Sequence, residues 1–423
     1  MEPDSITTAM WIETLTRVID GGHLARGEDL SGLIDLAARP LGLRVELLMV
    51  DLAQQSLIPV RTESRPPVGI AGTMGGRAFQ LGEILPCLDD GMRTLWVPVL
   101  DGTDRAGVMR VGIGDLRDDG DLRRRLWTLA GLAGHLLMTK LAYSDRLRRL
   151  RSNGPLSLAS ELLWHLLPPR TFATERVVVA ALLEPHAQVA GDAYDYNIDG
   201  DMIDLAVFDS LGHDIRAALT STLAITAVRN ARRDGETDLE VIAARADEAI
   251  LSQSGPRQFA TAVLARFNTS DGALEYLLAG HPPPLLVRHN RVVKELVTTP
   301  RLPLGLQIPG VPLPVVGREQ LEPGDRLLLY SDGIVEARDG DGAFFGEARL
   351  VELTERAEAD DLSAPETLRR LGAAVLAHQG GELQDDATLV MLDWSDRGHL
   401  RLFPSSTSES EPPMDIRDSP TER

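Results

Sequence analysis

Aspartate stands at four places in the second half of the sequence where an apolar run stops or a glycine adjoins. These are Gly191-Asp192, Asp209 behind Leu-Ala-Val-Phe, Asp332-Gly333 behind Leu-Leu-Leu-Tyr-Ser, and Asp385-Asp386 ahead of Ala-Thr-Leu-Val-Met-Leu. Apolar runs of this kind read as strands, and strand ends can converge in space. Carboxylates crowded together repel and desolvate one another, so a cluster needs a cation, and oxygen-only donors select hard ions such as Mg²⁺ or Mn²⁺. Two such ions side by side can draw a hydroxide from bound water and neutralise a phosphoryl oxygen, which is hydrolytic phosphate chemistry without a protein nucleophile. Each instance taken alone reads first as a hairpin corner, because Asp-Gly is a common turn dipeptide.

The elements that must position these residues follow from about Arg176. Short apolar runs read as strands: RVVVAALLE, MIDLAVFDS, FATAVLARF, LEYLLAG, PPLLVRH, RLLLYSDG and TLVMLDW. IRAALTSTLAITAVRNARR and LEVIAARADEAILSQ read as paired helices, so this part is expected to be an α+β sandwich with sheets covered by helices. Upstream, an amphipathic DLSGLIDLAARPLG, an apolar VELLMVDL, the glycine-rich AGTMGGRAFQLGE and two runs, TLWVPVL and AGVMRVGIG, form an α/β pattern of one small domain. Between the two parts, Leu122, Leu126, Leu129, Ala133, Leu136, Lys140, Tyr143, Leu147 and Leu150 alternate steps of four and three. That rhythm fits either a helix paired across a dimer or one covering its own domain. The divisions expected are an N-terminal segment 1–27, a first domain 28–120, a linking helix 121–155, a second domain 156–395 and a disordered tail 396–423.

Composition limits the partners. The chain has 423 residues, enough for two or three cores, and its 63 acidic against 43 basic residues give a net charge of −20, which opposes binding to nucleic acid or anionic membranes. The single cysteine, Cys87, excludes an intrachain disulfide and a thiolate zinc cage, in keeping with a cytoplasmic protein, and reads as a small buried apolar residue. The opening MEPDSITTAMWIETL has neither a basic leader nor an apolar core, and no stretch approaches the roughly 18 apolar residues of a membrane span.

The text around the aspartates resembles the metal-dependent protein phosphatases of type 2C, in the bacterial SpoIIE-like branch that regulates sigma-factor partner switching. VAGDAYDY is similar to its Gly-Gly-Asp motif, VFDSLGHD to its Asp-x-x-Gly-His segment, and FATAVLARF to its Phe-x-Thr strand. AGHPPPLL, the Pro303 to Gly305 loop, LEPGDRLLLYSDGIVEAR and QDDATLV match the motifs that follow, in order, from about Leu156 to Trp394. The resemblance implies an α-β-β-α sandwich and a serine/threonine protein phosphatase using two Mn²⁺ or Mg²⁺ ions. It implies that Asp192 and Asp209 hold the pair, with Asp209 as bridge and a backbone carbonyl at Ser210 nearby. Asp332, with Gly333 beside it, and either Asp385 or Asp386 would complete the set, Asp385 being favoured because it matches the acidic position of the wider family's Asp-Asn pair.

The chain departs from the branch at Ala190, where a glycine is usual, and at Asp214, which either caps the helix from Ile215 or adds a carboxylate near the mouth. His213 stays outside the core assignment, and His281 is read as structural, bonding a turn whose prolines cannot donate. Arg176, Arg216 and Arg257 are weighed as phosphate clamps and none is assigned. A non-catalytic scaffold and a small-molecule phosphohydrolase are the competing readings. The intact aspartates speak against the first, and the lack of a glycine-rich nucleotide cradle against the second.

The stretch from Leu30 to Leu141 resembles a GAF sensor domain through GRAFQLGE followed by TLWVPVLDGTDRAGVMRVG. This implies a small-ligand or dimerisation module, with the helix from Leu122 to Leu150 carrying its signal to the phosphatase. The expected partners are a phosphorylated regulatory protein such as an anti-sigma-factor antagonist, a possible small ligand of the first domain, and a second copy in a homodimer.

Overall fold

The structure is a computed structural model and describes residues 7–61, 65–89, 91–152, 158–184, 191–212, 214–254, 258–311, 313–381 and 383–403. It divides into two compact units, residues 1–153 with 400–423, and residues 154–399.

The first unit contains α1 (Thr8–Leu24), α2 (Leu30–Ala38), β1 (Arg44–Val50), β2 (Ser56–Pro59), β3 (Val68–Gly69), α3 (Met74–Leu81), β4 (Leu85–Asp89), β5 (Met92–Asp101), β6 (Asp104–Gly112), α4 (Gly120–Leu141) and α5 (Asp145–Arg151). Its strands form one antiparallel sheet in the order β3-β2-β1-β6-β5-β4. Strand alternation gives the sheet two apolar faces. Leu47, Val97 and Met109 pack with Trp11, Val18, Ile34, Leu126 and Leu129 of α1, α2 and α4. The intervening Leu48, Trp96 and Val108 pack with Phe79 of α3.

Three expectations about this part change. The segment 1–27 is largely a helix whose Trp11 and Val18 enter the domain core, and its start is capped by Thr7, whose hydroxyl accepts from the Met10 amide. The linking helix 121–155 is two helices: α4 stops at Leu141, and α5 restarts where the Ser144 hydroxyl accepts from the Leu147 amide. The four-three rhythm of α4 serves its own unit, since Leu122, Leu126, Leu129 and Ala133 are buried there and Lys140 donates to the His23 carbonyl at 3.2 Å. Part of the stretch from 396 is also ordered, with Leu402 buried and Phe403 edge-on to Trp127 at 6.2 Å. Two apolar side chains in polar text suffice for this, and the boundary of the first unit falls at Leu400.

The second unit contains α6 (Leu158–Leu166), β7 (Thr171–Ala173), β8 (Val177–Glu184), β9 (Asp192–Asp199), β10 (Met202–Ser210), α7 (Ile215–Arg233), α8 (Leu239–Ser254), β11 (Ala260–Asn268), β12 (Ala273–Ala279), β13 (Leu285–Arg288), β14 (Arg291–Glu295), β15 (Gly317–Gln320), β16 (Arg326–Tyr330), α9 (Asp332–Val335), α10 (Glu347–Ala359), α11 (Ala364–His378) and β17 (Ala387–Trp394). Two antiparallel sheets, β15-β12-β11-β10-β9 and β14-β13-β16-β17-β8-β7, share one core that includes Val179, Leu205, Val207, Leu329 and Val390. Helices α7 and α8 cover the first sheet and α11 the second, so strands such as β17 are buried on both faces. β9, with the text DAYDYNID, lacks the apolar signature of its neighbours. It lies at the edge of its sheet beside β10, and its buried Asp195 is matched by Arg229 and Arg232 of α7 at 2.6 and 2.5 Å. Among the described residues no helix is long and apolar enough to cross a membrane.

Candidate metal centre

Strand register brings the first two carboxylates together. β9 and β10 pair with Asp192 opposite Asp209, and on the other side of β10 Thr261 of β11 lies opposite Asp209. In the second sheet β16 and β17 are neighbours whose ends are tied by two hydrogen bonds. The Ser331 amide donates to the Thr388 carbonyl and the Thr388 amide to Ser331 Oγ, both at 3.0 Å. Asp332, one residue past Ser331, therefore stands beside the Asp385-Asp386 pair that precedes β17. Asp386 joins the two sheets: its Oδ2 accepts the amide of Gly191 at 2.5 Å and that of Asp192 at 3.4 Å.

Close backbone approach explains the glycines here. A Cβ on Gly333 would lie 1.9 Å from the Asp386 carbonyl oxygen, and one on Gly191 would lie 2.5 Å from that of Gly212 and 2.8 Å from that of Ser210. Either side chain would push the strand ends apart.

The electrostatics are those of crowded, desolvated acids. Burial, then the charges of Asp209 and Asp386, hold the Asp192 carboxyl well above the usual range, against the hydroxyls of Ser331 and Thr388. Burial, with Asp332 and Asp385 nearby, raises Asp209 to about 8. Asp332 is also raised, by burial and by the charges of Asp385 and Glu336. Asp192 is 2% exposed, and its Oδ2 has no hydrogen-bond partner among the described residues. Among those residues no three acidic, histidine or cysteine side chains close around a single point. The acids stand instead as neighbours along the seam between the sheets, each disfavouring the charge of the next.

This set fits hard divalent ions. The donors are all oxygen, the buried Asp192 Oδ2 is available, and a positive charge would relieve the burial and repulsion that raise these carboxyls. Asp192, Asp209, Asp332 and Asp385 could hold such ions through their side chains.

The structure separates the two members of the double aspartate. Asp385 is solvent-facing, its Oδ1 accepting only the following amide at 2.9 Å, while its charge acts on Asp209 and Asp332. Asp386 is 3% exposed and uses its carboxylate to fasten the start of β9. Ser210 turns its side chain inward, 2.7 Å from Ser221 Oγ, with its carbonyl against Gly191. Asp214 caps α7, accepting the amides of Arg216 and Ala217 at 2.9 and 3.1 Å, so the capping reading holds. His213, Ala190 and Arg257 lie outside the described residues. Arg216 is exposed on α7, and Arg176 precedes the far end of β8, where Val177 pairs with Trp394 rather than with the site.

His281 is structural, although not through its own turn. Its Nδ1 lies 2.7 Å from Thr261 Oγ1, on the strand beside Asp209, and burial lowers its pKa to about 4. Ser331, Thr388 and Thr261 are residues near the acids to which the sequence motifs gave no role. Ser331 and Thr388 sit within motifs already quoted, YSDG and DDAT, where a hydroxyl next to a carboxylate was the available signal.

Residues 199–395 match the family model described as Stage II sporulation protein E (SpoIIE). Phosphoserine phosphatase RsbU of Bacillus subtilis is 25% identical over 244 residues, covering 56% of this chain and 69% of RsbU. Protein IcfG of Synechocystis is 26% identical over 240 residues, covering 50% of this chain and 37% of IcfG. Among solved structures, the RsbU and RsbW domains of Rv1364c from Mycobacterium tuberculosis align at 28% identity and TM-score 0.44, covering 52% of this chain and 60% of that one.

Proposed function

We propose that the second unit of this chain, which is similar to the Stage II sporulation protein E family model over residues 199–395 and to phosphoserine phosphatase RsbU, is a SpoIIE/PP2C-type phosphatase domain, and that the protein is a metal-dependent serine/threonine phosphatase acting on a phosphorylated regulatory protein. The observation that carries this reading is the crowding of Asp192, Asp209 and Asp332 at strand ends of two sheets, where burial and neighbouring acids disfavour their charge, with Asp385 acting on Asp209 and Asp332.

Two Mg²⁺ or Mn²⁺ ions bound there would supply an activated water and neutralise the phosphoryl charge. The chain's own residues do the positioning. Asp209, which feels the charges of Asp332 and Asp385, would hold an ion together with the acids of both sheets, and the solvent-facing Asp385 would be the member reached from outside. Asp386 keeps β9 beside the second sheet through the Gly191 and Asp192 amides, and the nearby Ser331 and Thr388 hydroxyls favour the charged form of Asp192. Ser210 and Gly333 contribute backbone. The substrate class is a phosphoprotein such as an anti-sigma-factor antagonist, supported by the likeness to RsbU. The first unit, with α3 over one sheet face and α1, α2 and α4 over the other, suits a GAF-like sensor that also supports a homodimer.

The test is hydrolysis of p-nitrophenyl phosphate and of a phosphorylated anti-sigma antagonist, with and without Mn²⁺. Asp209→Asn and Asp332→Asn should each lower kcat by on the order of a thousandfold or more, with the fold retained by circular dichroism. Full activity in excess chelator, or unchanged turnover in both variants, rejects the metal mechanism, whereas no hydrolysis of either substrate with Mn²⁺ leaves the scaffold reading in its place.

A further inference from the structure

The text after α9, Arg-Asp-Gly-Asp-Gly-Ala-Phe-Phe from Arg338 to Phe345, folds into a tightly held hairpin. Asp339 makes its turn: the side chain accepts the amides of Asp341 and Ala343 at 3.0 and 2.9 Å, and its own amide donates to the Ala343 carbonyl at 3.0 Å. The stem is closed by the Phe345 amide on the Ala337 carbonyl at 2.7 Å and the Gly346 amide on that of Val335 at 3.0 Å. Phe345 is buried, edge-on to His378 at 5.5 Å, and the His378 ring lies 3.0 Å from the Ala343 carbonyl. Because successive side chains in an extended segment alternate, burying Phe345 turns Phe344 outward.

Phe344 is 51% exposed. Arg338, its bridge partner across the hairpin, lays its guanidinium 4.2 Å from the ring centroid. Among the described residues that guanidinium makes no ion pair, although the chain carries a net charge of −20 and Asp339 and Asp341 follow directly. Stacking holds it in place while leaving its donors facing solvent. The hairpin is also tied to the metal centre, for Gln384 Nε2 donates to the Arg338 carbonyl at 3.0 Å, and Gln384 immediately precedes Asp385.

We propose that this hairpin is the docking surface for the protein segment that carries the scissile phosphate, with Arg338 pairing to a carboxylate beside the phosphoserine and Phe344 covering an adjacent apolar side chain. The inference rests on the phosphatase reading of the centre. The occupant follows from charge and place: a guanidinium that makes no ion pair among the described residues, beside a site for phosphate, meets the residues that flank the phosphate in an acidic, phosphorylated segment. The ring and guanidinium are already ordered, so little is lost in fixing them on binding.

The experiment uses the full chain with Mn²⁺ and two synthetic phosphoserine peptides that differ only in having Asp or Ala on either side of the phosphoserine, with p-nitrophenyl phosphate as a third substrate. The wild-type protein should favour the acidic peptide by roughly tenfold in kcat/KM, through KM. Arg338→Ala should abolish that preference, Arg338→Lys should restore part of it, and Phe344→Ala should raise KM for both peptides. No preference in the wild-type protein overturns the proposal. So does an equal loss on all three substrates in Arg338→Ala, which would make Arg338 a clamp on the phosphoryl group itself. Failure of the wild-type protein to hydrolyse any of the three would reject the phosphatase reading, and the inference with it.

Discussion

Asp209 and His281 lie on either side of Thr261, and burial shifts their proton affinities in opposite senses. The Asp209 carboxyl titrates near 8 in the folded chain, against about 3.9 when unfolded. Between these values the folded state binds more protons, so this group makes the ion-free protein less stable as pH rises from about 4 to about 8. Asp209→Asn should therefore raise the ion-free Tm at pH 7.5 by a few degrees even as it removes activity, and should flatten the pH slope. An ion-free Tm lowered by the substitution would contradict the raised carboxyl. His281 works the other way: its folded pKa near 4 lies below the unfolded value of about 6.5. The contribution is full above about 6.5 and is lost as pH falls towards 4, on the order of 3 kcal/mol at most. Urea titrations from pH 7 to 4 should show that limb in the wild type and a shallower one in His281→Gln. Both effects concern residues whose identity was plain in the sequence, whereas their proton affinities arise from burial, which only packing determines.

At the scale of elements, the site depends on strand ends that approach closely and on a helix that starts beside them. Gly333→Ala places a methyl group against the Asp386 carbonyl and should cost at least about 2 kcal/mol, with loss of activity, because the backbone rather than a flexible side chain must yield. Asp214→Ala removes only the cap of α7 and should cost about 1 kcal/mol by denaturant titration. A milder effect for Gly333→Ala than for the cap would mean that the β16 and β17 ends are not fixed. Strands made of Val, Leu and Ile runs, such as β8, β10 and β17, were legible in the sequence because apolar text of strand length has few other uses. β9 was not, since its Asp-Tyr alternation becomes a buried edge strand only with Arg229 and Arg232, thirty or more residues away, matching Asp195. The break between α4 and α5 escaped for a related reason: the leucine rhythm continues across Tyr143, while the Ser144 cap interrupts the backbone.

Over the whole molecule, two units each enclose a core of their own, and the acids belong to one of them. Calorimetry with increasing Mn²⁺ should raise the midpoint of one transition and leave the other in place, since an ion stabilises only the unit that binds it. Equal shifts of both, or of neither, would place the ions elsewhere or exclude them. α1 and α4 complete the first core, so a truncation test of the proposed sensor role has to remove residues 1–153 together rather than cut before Leu122, which would strip α4 from its sheet. The aspartates at strand ends, their order and the oxygen-only chemistry they imply were determined by the sequence alone, because residue type and apolar patterning are local properties. Their convergence was decided by tertiary structure, as were the division of labour between solvent-facing Asp385 and buried Asp386, the partner of His281, and the outward turn of Phe344. Each of these depends on which strand ends meet and which face is buried, and those facts exist only once distant segments pack.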